Sequence, residues 1–223
     1  MQQKATMREQ ILDSAQLFVQ TRGFHAFSYA DIAAEVGIRK ASIHYYFPAK
    51  TDLGREIVAR YREEVRRQCR QIRSATPEAD QTLQRYAQVF RDMLRSGPDT
   101  QGVRVCLCGA LVSEWHALSG EMREEVAGFF RENADWLAAV LDVGRSEGCL
   151  HFEGSSFLQA QAFLSGLEGA MQTARVYQDV TLYCAIAHQL LGQMGFHTFD
   201  LNALLSEPLP LGESSLFASG PAR

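Results

Sequence analysis

The sequence lacks the features of membrane and secreted proteins. No apolar run approaches the roughly 18 residues that a membrane-spanning helix requires. The first ten residues, MQQKATMREQ, contain no apolar signal-peptide core, which favours a cytoplasmic location. The five cysteines are an odd number and include no Cys-x-x-Cys pair, so we expect reduced thiols and no disulfide framework.

The usual patterns of catalytic and metal chemistry are also missing. The six histidines include no i, i+4 pair, so no metal site is expected. No Ser-His-Asp or Cys-His arrangement and no glycine-rich phosphate loop stands out. We therefore expect no catalytic residues and no cofactor. Strand alternation and internal repeats are lacking as well, which predicts an all-α chain.

Positive charge is concentrated at one end of the chain. The 223 residues carry a net charge of −4. Residues 1–73 have 13 lysines and arginines against 8 aspartates and glutamates, a net charge of +5, whereas residues 74–223 have a net charge of −9. A basic first third on an acidic body suits a protein of which one end meets a polyphosphate.

Two short helices around a glycine turn are predicted over residues 28–47, SYADIAAEVGIRKASIHYYF. Ser28 precedes an apolar-periodic run and is followed three residues later by Asp31, which is typical of a capping box. Gly37 ends this first helix, where a positive φ is expected. The second helix is predicted over about residues 39–47. Together they have the pattern of a helix-turn-helix.

The second helix turns Ile43 inward and leaves cations, a hydroxyl, an imidazole and a phenol on its outside. This set suits a groove lined by phosphates and base edges. DNA contacts are therefore expected from the motif and its flanks: Ser28, Tyr29, Arg39, Lys40, Ala41, Ser42, His44, Tyr45, Tyr46 and Lys50.

The segment EVGIRKASIHYYFPAKTDL resembles the DNA-binding signature of the tetracycline-repressor (TetR) family of bacterial regulators. The matching positions are Gly37, Ile38, Lys40, Ala41, Ser42, Ile43, Tyr46, Phe47 and Lys50. Arg39 and Ala49 stand where the family often has a capping Ser or Thr, and Thr51 is expected to take over the second cap. The resemblance covers about residues 6–55.

The resemblance implies a ligand-responsive regulator, in first place a repressor released from a palindromic operator in double-stranded DNA by a small-molecule effector. Lys40 and Lys50 would contact phosphates, with Arg39, Ser42, His44 or Tyr45 nearer the bases. An activator is the alternative within this class. A helical small-molecule carrier or an enzyme is the rival from another class.

The predicted organisation is an N-terminal three-helix DNA-binding domain over residues 1–50 and a helical ligand-binding and dimerisation domain over residues 51–195. Residues 196–223 form a C-terminal extension rich in Pro, Gly and Ser, which we expect to be mobile. In the second domain, further helices are predicted over about residues 51–73, 104–117 and 119–147.

Two stripes suggest a homodimer interface in the last helix pair. The first stripe consists of small residues and the second of large apolar ones. They comprise Ala162, Gly166, Gly169 and Ala170, and then Leu182, Ile186, Leu190 and Met194. Packing within one subunit is the alternative. The resemblance favours the dimer, since family members form a four-helix bundle from their final two helices.

The middle of the chain is expected to hold an apolar effector cavity. Its candidate walls are Phe90, Met93, Leu111, Trp115, Phe129, Phe130 and Trp136, and Glu114 is a candidate polar anchor. Cys106 is a candidate thiol sensor, because a predicted helix start and Arg104 would both favour the thiolate. A Cys-Leu element here also resembles electrophile-responsive members of the family. The alternative to a thiol sensor is that Cys106 and Cys108 are simply small, buried hydrophobic residues of the core.

Overall fold

The computed structural model describes residues 6–95 and 103–195, and these ranges contain helices and no strand. The C-terminal extension predicted over residues 196–223 lies outside them. Within the described part, no helix is both long and apolar enough to cross a membrane. The helices are α1 (Met7–Arg22), α2 (Tyr29–Val36), α3 (Lys40–Tyr46), α4 (Lys50–Ala75), α5 (Ala79–Arg95), α6 (Leu107–Val112), α7 (Gly120–Ser146), α8 (Ser156–Tyr177) and α9 (Val180–Gly192), with a 3-10 turn at Trp115–Ala117.

Local capping signals determine where the first helices begin and end. Ser28 closes a capping box on α2, since its backbone N–H donates to the Asp31 carboxylate over 2.7 Å and its hydroxyl accepts from Ala30. Gly37 follows α2 with φ of +75°, the left-handed conformation that ends a helix. The sequence predicted both features.

The start of α4 differs from the prediction. The helix begins at Lys50 after Ala49, and the Asp52 carboxylate accepts the Ala49 N–H over 3.0 Å. The expectation that Thr51 would act as the N-cap was therefore wrong, because Thr51 already lies within the first turn. The acidic residue in the first turn supplies the hydrogen-bond acceptor that a free backbone N–H at a helix start requires.

Helices α1 to α3 and the start of α4 surround one small core. Ile11, Ile32, Ile43 and Leu53 are fully buried in it. The ring of Phe27, from the loop between α1 and α2, packs 5.5 Å from that of a phenylalanine on α1. These contacts form a compact head that holds α3 at its surface.

Helix α4 passes from this head into the body, where it packs on α7. Arg62 donates to Glu132 over 2.5 Å and also to Glu125, so one guanidinium joins α4 to two turns of α7. A Cβ at Gly128 would lie 2.6 Å from the Arg62 guanidinium carbon, so a larger residue there would displace the guanidinium from its two carboxylates. The two helices are thus tied at mid-length.

Helix α6 is shorter than the predicted helix over residues 104–117. Val105 exchanges hydrogen bonds with Gln20 of α1: its N–H donates to the Gln20 backbone oxygen over 3.3 Å, and its carbonyl accepts from Gln20 Nε2 over 3.0 Å. Because these bonds hold residues 104–106 in a non-helical conformation, α6 begins only at Leu107.

Helices α7, α8 and α9 complete the body, with α8 packed between the other two. Ser155 caps α8 and Asp179 caps α9. The predicted helix 119–147 corresponds closely to α7. Of the two stripes in the last helix pair, Ala170 and Met194 are buried inside the subunit, and Gly166 packs against Leu190.

Candidate DNA interface and regulatory core

Helix α3 presents its polar residues on the outer surface of the head. Arg39 precedes the helix with no side-chain cap, and Lys40 and Ala41 are exposed, with Ser42 half-buried. The Tyr45 side chain is 83% exposed, so it makes few contacts within its own subunit. This surface combines two cations with hydrogen-bonding groups, as a phosphate-lined groove requires.

Tyr29 does not belong to this surface, contrary to the prediction. The side chain is buried, and its hydroxyl donates to the Phe47 carbonyl over 2.9 Å. Burial raises the pKa of Tyr29 to about 12, so the phenol stays neutral. Its physical role is to join the first turn of α2 to the end of α3, which fixes the recognition helix on the head.

Two other predicted contacts are partly used within the head. The His44 ring packs edge-on against Tyr29 at 4.8 Å, and its Nδ1 lies 3.4 Å from the Pro48 carbonyl. Tyr46 is half-buried. Ser28 remains exposed at the N-terminus of α2, although its hydroxyl serves the capping box. Tyr45 therefore has the greatest exposure of the aromatic candidates.

Lys50 has a different environment from the one expected of a phosphate contact. Its ammonium lies against the loop between α1 and α2, where it donates to the Phe24 carbonyl over 2.5 Å and to the Phe27 carbonyl. It also lies over the Phe27 ring, 4.1 Å from the centroid. Burial lowers the pKa of Lys50. These contacts assign Lys50 to holding the head together.

Replacing Lys50 with methionine should therefore lower the stability of the protein. Two carbonyls would lose their donor, at a cost of about 1–3 kcal/mol, while the aliphatic stem is kept. The midpoint of urea unfolding measures this change. A phosphate contact would instead leave stability unaltered and reduce the slope of log affinity for DNA against log salt by about 0.9. That second result would restore the original prediction for Lys50.

A small cavity, with room for about one water molecule, lies in the body between α4 and α5. One wall is an i, i+4 stripe along α4 and the other is formed by the facing residues of α5. Its lining consists of Tyr61, Val65, Gln68, Cys69, Ile72, Tyr86, Val89, Phe90 and Met93. All nine residues are buried, and Gln68 Oε1 has no hydrogen-bond partner among the described residues.

Only some of the residues predicted to bind a ligand line this cavity. Phe90 and Met93 line the cavity. Phe129 and Trp136 lie behind it, because their rings pack 5.5 Å from those of Tyr61 and Tyr86 respectively. The other three do not line it, namely Leu111, Trp115 and Phe130. The α4 residues of the lining were not predicted, although their helical spacing is visible in the sequence, because most of them are smaller than the aromatic residues that are typical of a cavity wall.

Comparison with known proteins relates this architecture to one family. The family model described as bacterial regulatory proteins, tetR family, matches residues 11–57. A TetR-family transcriptional regulator from Agrobacterium tumefaciens has 33% sequence identity and a TM-score of 0.79, over 84% of this chain and 96% of that one. The chain belongs to the TetR family.

Two curated relatives are transcriptional regulators of this kind. The HTH-type transcriptional repressor NemR of Escherichia coli is 24% identical over 81% of this chain and 90% of its own length. The HTH-type transcriptional regulator LmrA of Bacillus subtilis is 26% identical over 64% of this chain and 73% of its own. This TetR-family chain is thus a DNA-binding transcriptional regulator. The alternatives of a small-molecule carrier or an enzyme are not favoured.

In this TetR-family regulator, the segment after α6 in the body forms hydrogen bonds with the head. Glu114 accepts the backbone N–H groups of Phe24 over 2.6 Å and His25 over 3.0 Å, and it pairs with the His25 ring. Burial alone would raise the pKa of Glu114, but these hydrogen bonds outweigh it and lower the pKa. Glu114 therefore serves as a latch that holds the α1–α2 loop to the segment after α6, and not as the ligand anchor suggested by the sequence.

Cys106 is placed in the core, contrary to the environment expected of a thiol sensor. It is fully buried, and the Tyr61 hydroxyl lies 3.5 Å from its sulfur. Burial raises the pKa of Cys106 well above its usual value, which opposes thiolate formation. The Arg104 guanidinium donates to Gln20 Oε1 of α1 over 3.3 Å. The thiol-sensor alternative is therefore not favoured by this geometry.

Thiol labelling should follow exposure. A small alkylating reagent is expected to modify Cys149, which is partly exposed, well before Cys106, and operator DNA should stay bound meanwhile. Mass spectrometry of the native protein gives the order of modification, and Cys106→Ser is the matched variant. Rapid modification of Cys106 with release of DNA from the wild type, but not from the serine variant, would reinstate the thiol sensor.

Proposed function

We propose that this protein is a homodimeric repressor that an effector molecule releases from a palindromic operator. The observation that carries the proposal is the course of α4. One helix begins at the head with Lys50, which binds the loop behind α2, and then forms a wall of the cavity from Tyr61 onwards. A molecule that moves this wall must also shift or tilt the head.

On the operator, α3 of each subunit enters a major groove. Arg39 and Lys40 approach the phosphates at the start of the helix, and Ser42 and Tyr45 approach the base edges. Ser28 and Ala41 flank this contact, with His44 and Tyr46 at its border. The net charge of +5 over residues 1–73 draws the head to DNA, and the acidic body stays away from it.

The dimer forms through the outer faces of α8 and α9. Exposed side chains recur along α8 at helical spacing, and two of them are strongly apolar: Leu158 at 67% exposure and Val176 at 76%. Ala162 and Gly169 lie between them on the same face, and Gly169 has open space above its backbone. Small residues between apolar ones permit close approach of a second copy, which supports the expected four-helix interface.

The effector occupies the cavity between α4 and α5 and favours a conformation in which the two heads no longer match the operator spacing. The similarity to NemR, which is named a repressor, supports repression over the alternative of activation. Its place of action is the cytoplasm, where bacterial operator DNA lies. No catalytic step is proposed.

The deciding experiment is binding to DNA fragments from upstream of the protein's own gene. A specific fragment should be retained at a salt concentration that releases unrelated DNA, and affinity should fall steeply with salt, with a slope of about 0.9 for each phosphate contact. Sedimentation of the complex gives the number of subunits. Binding that is weak, insensitive to salt and equal for all fragments would exclude an operator-binding regulator.

A further inference from the structure

Glu168 on α8 is an ionisable group that no part of the proposed DNA contact uses. Both of its carboxylate oxygens are shielded from solvent, and no N–H or O–H group of the described residues donates to them; the neighbouring donor is the weakly donating thiol of Cys106. The carboxylate lies against the backbone of α6 at Gly109, where even a methyl group would overlap it. A buried carboxylate with only a thiol as its donor is unfavourable, so such a group indicates a function other than stability.

A chain of side-chain contacts runs from Glu168 to the cavity between α4 and α5. The Cys106 thiol lies beside the carboxylate, and the Tyr61 hydroxyl contacts the same sulfur. Tyr61 also lines the cavity, and its hydroxyl lies 3.8 Å from the sulfur of Met93, which is another lining residue. Glu168 does not line the cavity itself: the side chains of Cys106 and Tyr61 lie between its carboxylate and the cavity. Met93 is an unbranched side chain that adapts readily to a guest.

Three acceptors of this region lack an N–H or O–H partner: the two oxygens of Glu168 and Oε1 of Gln68 in the cavity wall. Arg62 Nε on α4 is an unpartnered donor, but its guanidinium is already paired with two carboxylates of α7. The remaining walls are aromatic or apolar, with the rings of Tyr61, Tyr86 and Phe90 among them. An ammonium group has donors and no acceptor, pairs with a carboxylate, and is attracted by aromatic faces.

We propose that Glu168 binds the ammonium group of an organic cation whose apolar part enters and widens the cavity between α4 and α5, displacing the side chains of Tyr61 and Cys106 that separate the two. This inference rests on the proposed function and names the chemical class of its effector. Burial raises the pKa of Glu168 to about 7, so the carboxylate ionises readily when a cation arrives to pair with it.

The position of Glu168 also explains how binding reaches the DNA. The carboxylate touches α6 at Gly109, and the segment after α6 holds Glu114, the latch on the head. A cation that draws Glu168 towards the cavity withdraws its support from α6. The Glu114 contacts with the Phe24–His25 backbone then change, and the head is released from the orientation that fits the operator.

A matched series of probes tests the proposal. Phenylalkylamines with two to five methylene groups are compared with the corresponding phenylalkanols, which have the same shape but no charge. The readouts are the shift in melting temperature and the release of operator DNA. At least one amine should act at about tenfold or more lower concentration than its alcohol, as expected for one charged hydrogen bond. The Glu168→Gln variant should lose this preference.

Controls separate the outcomes. Glu124→Gln removes an exposed carboxylate of α7 and should keep the preference. Should Glu168→Gln fail to fold, Glu168→Asp retains the charge, and it should keep the amine preference with weaker binding. Equal action of amines and alcohols on the wild type, or a preference that persists in Glu168→Gln, would overturn the proposal. Operator binding without any probe is measured in the same samples, so its absence would count against the proposed function and not against this site.

Discussion

Replacing Tyr45 with alanine is expected to weaken operator binding by about 5- to 150-fold, which corresponds to about 1–3 kcal/mol for a lost base contact. The physical reason is its position. The ring is 83% exposed on α3 and packs 5.2 Å from the ring of Tyr46, which directs it outward. Because the side chain supports little of the head, the melting temperature and the dimer should remain unchanged. Fluorescence anisotropy with labelled operator measures the affinity.

The Tyr45→Phe variant separates the ring from the hydroxyl. If the ring packs on base edges, phenylalanine should retain most of the affinity, whereas a hydrogen bond from the hydroxyl would make both variants equally weak. His116→Ala, which changes an exposed residue beyond α6, serves as the control and should bind as the wild type does. Monomers of Tyr45→Ala in sedimentation, or unchanged affinity for the operator, would contradict the groove contact.

The features that the sequence predicts well are those that depend on neighbouring residues. The capping box of Ser28 and Asp31 spans three residues, and the left-handed Gly37 needs only its own lack of a side chain. The same local logic holds at Asp179, which caps α9 by accepting the N–H of Thr181 two residues later. In each case the interaction is complete within one turn of chain, so tertiary packing has little opportunity to override it.

The corrected residues depend on contacts that are distant in the chain. Tyr29 reaches the carbonyl of Phe47, and Lys50 reaches that of Phe24, at separations of 18 and 26 residues. Both residue types suit a DNA contact equally well when only the motif is visible. The structure gives both residues a role within the head, because the α1–α2 loop packs on Lys50 and the end of α3 packs on Tyr29. No local sequence pattern encodes these contacts.

The regulatory core was the least predictable part for the same reason. Glu114 meets the head across a separation of 90 residues, and Glu168 meets α6 at Gly109. A glutamate in a helix is usually exposed, so no sequence pattern indicates that the Glu168 carboxylate is buried. The burial arises from α6, a six-residue helix whose start is displaced by the bonds between Val105 and Gln20. Geometry of that kind becomes visible only in three dimensions.

The Glu168→Gln variant should gain stability over the wild type as the pH rises. The folded pKa of Glu168, about 7, lies above the ordinary value of 4.5. A carboxyl with a raised folded pKa contributes fully below the unfolded pKa, and that contribution is lost as the pH rises through the folded one. Between pH 4 and pH 8, the difference in unfolding free energy should therefore change by about 3 kcal/mol in favour of glutamine. Urea unfolding across this range measures it.

The change in this difference with pH, and not its size at one pH, is the diagnostic quantity, since the glutamine amide also lacks partners at this position. Other groups that face Glu168 do not interfere. Burial raises the pKa values of Cys106, Cys108, Tyr61, Tyr86 and Tyr183 well above their usual values, so they stay neutral in both proteins. Glu124→Gln should show no such trend, because its carboxylate is exposed. A difference for Glu168→Gln that is equally flat would mean that the carboxylate is solvated or paired in solution, and the buried charge on which the cation site depends would be absent.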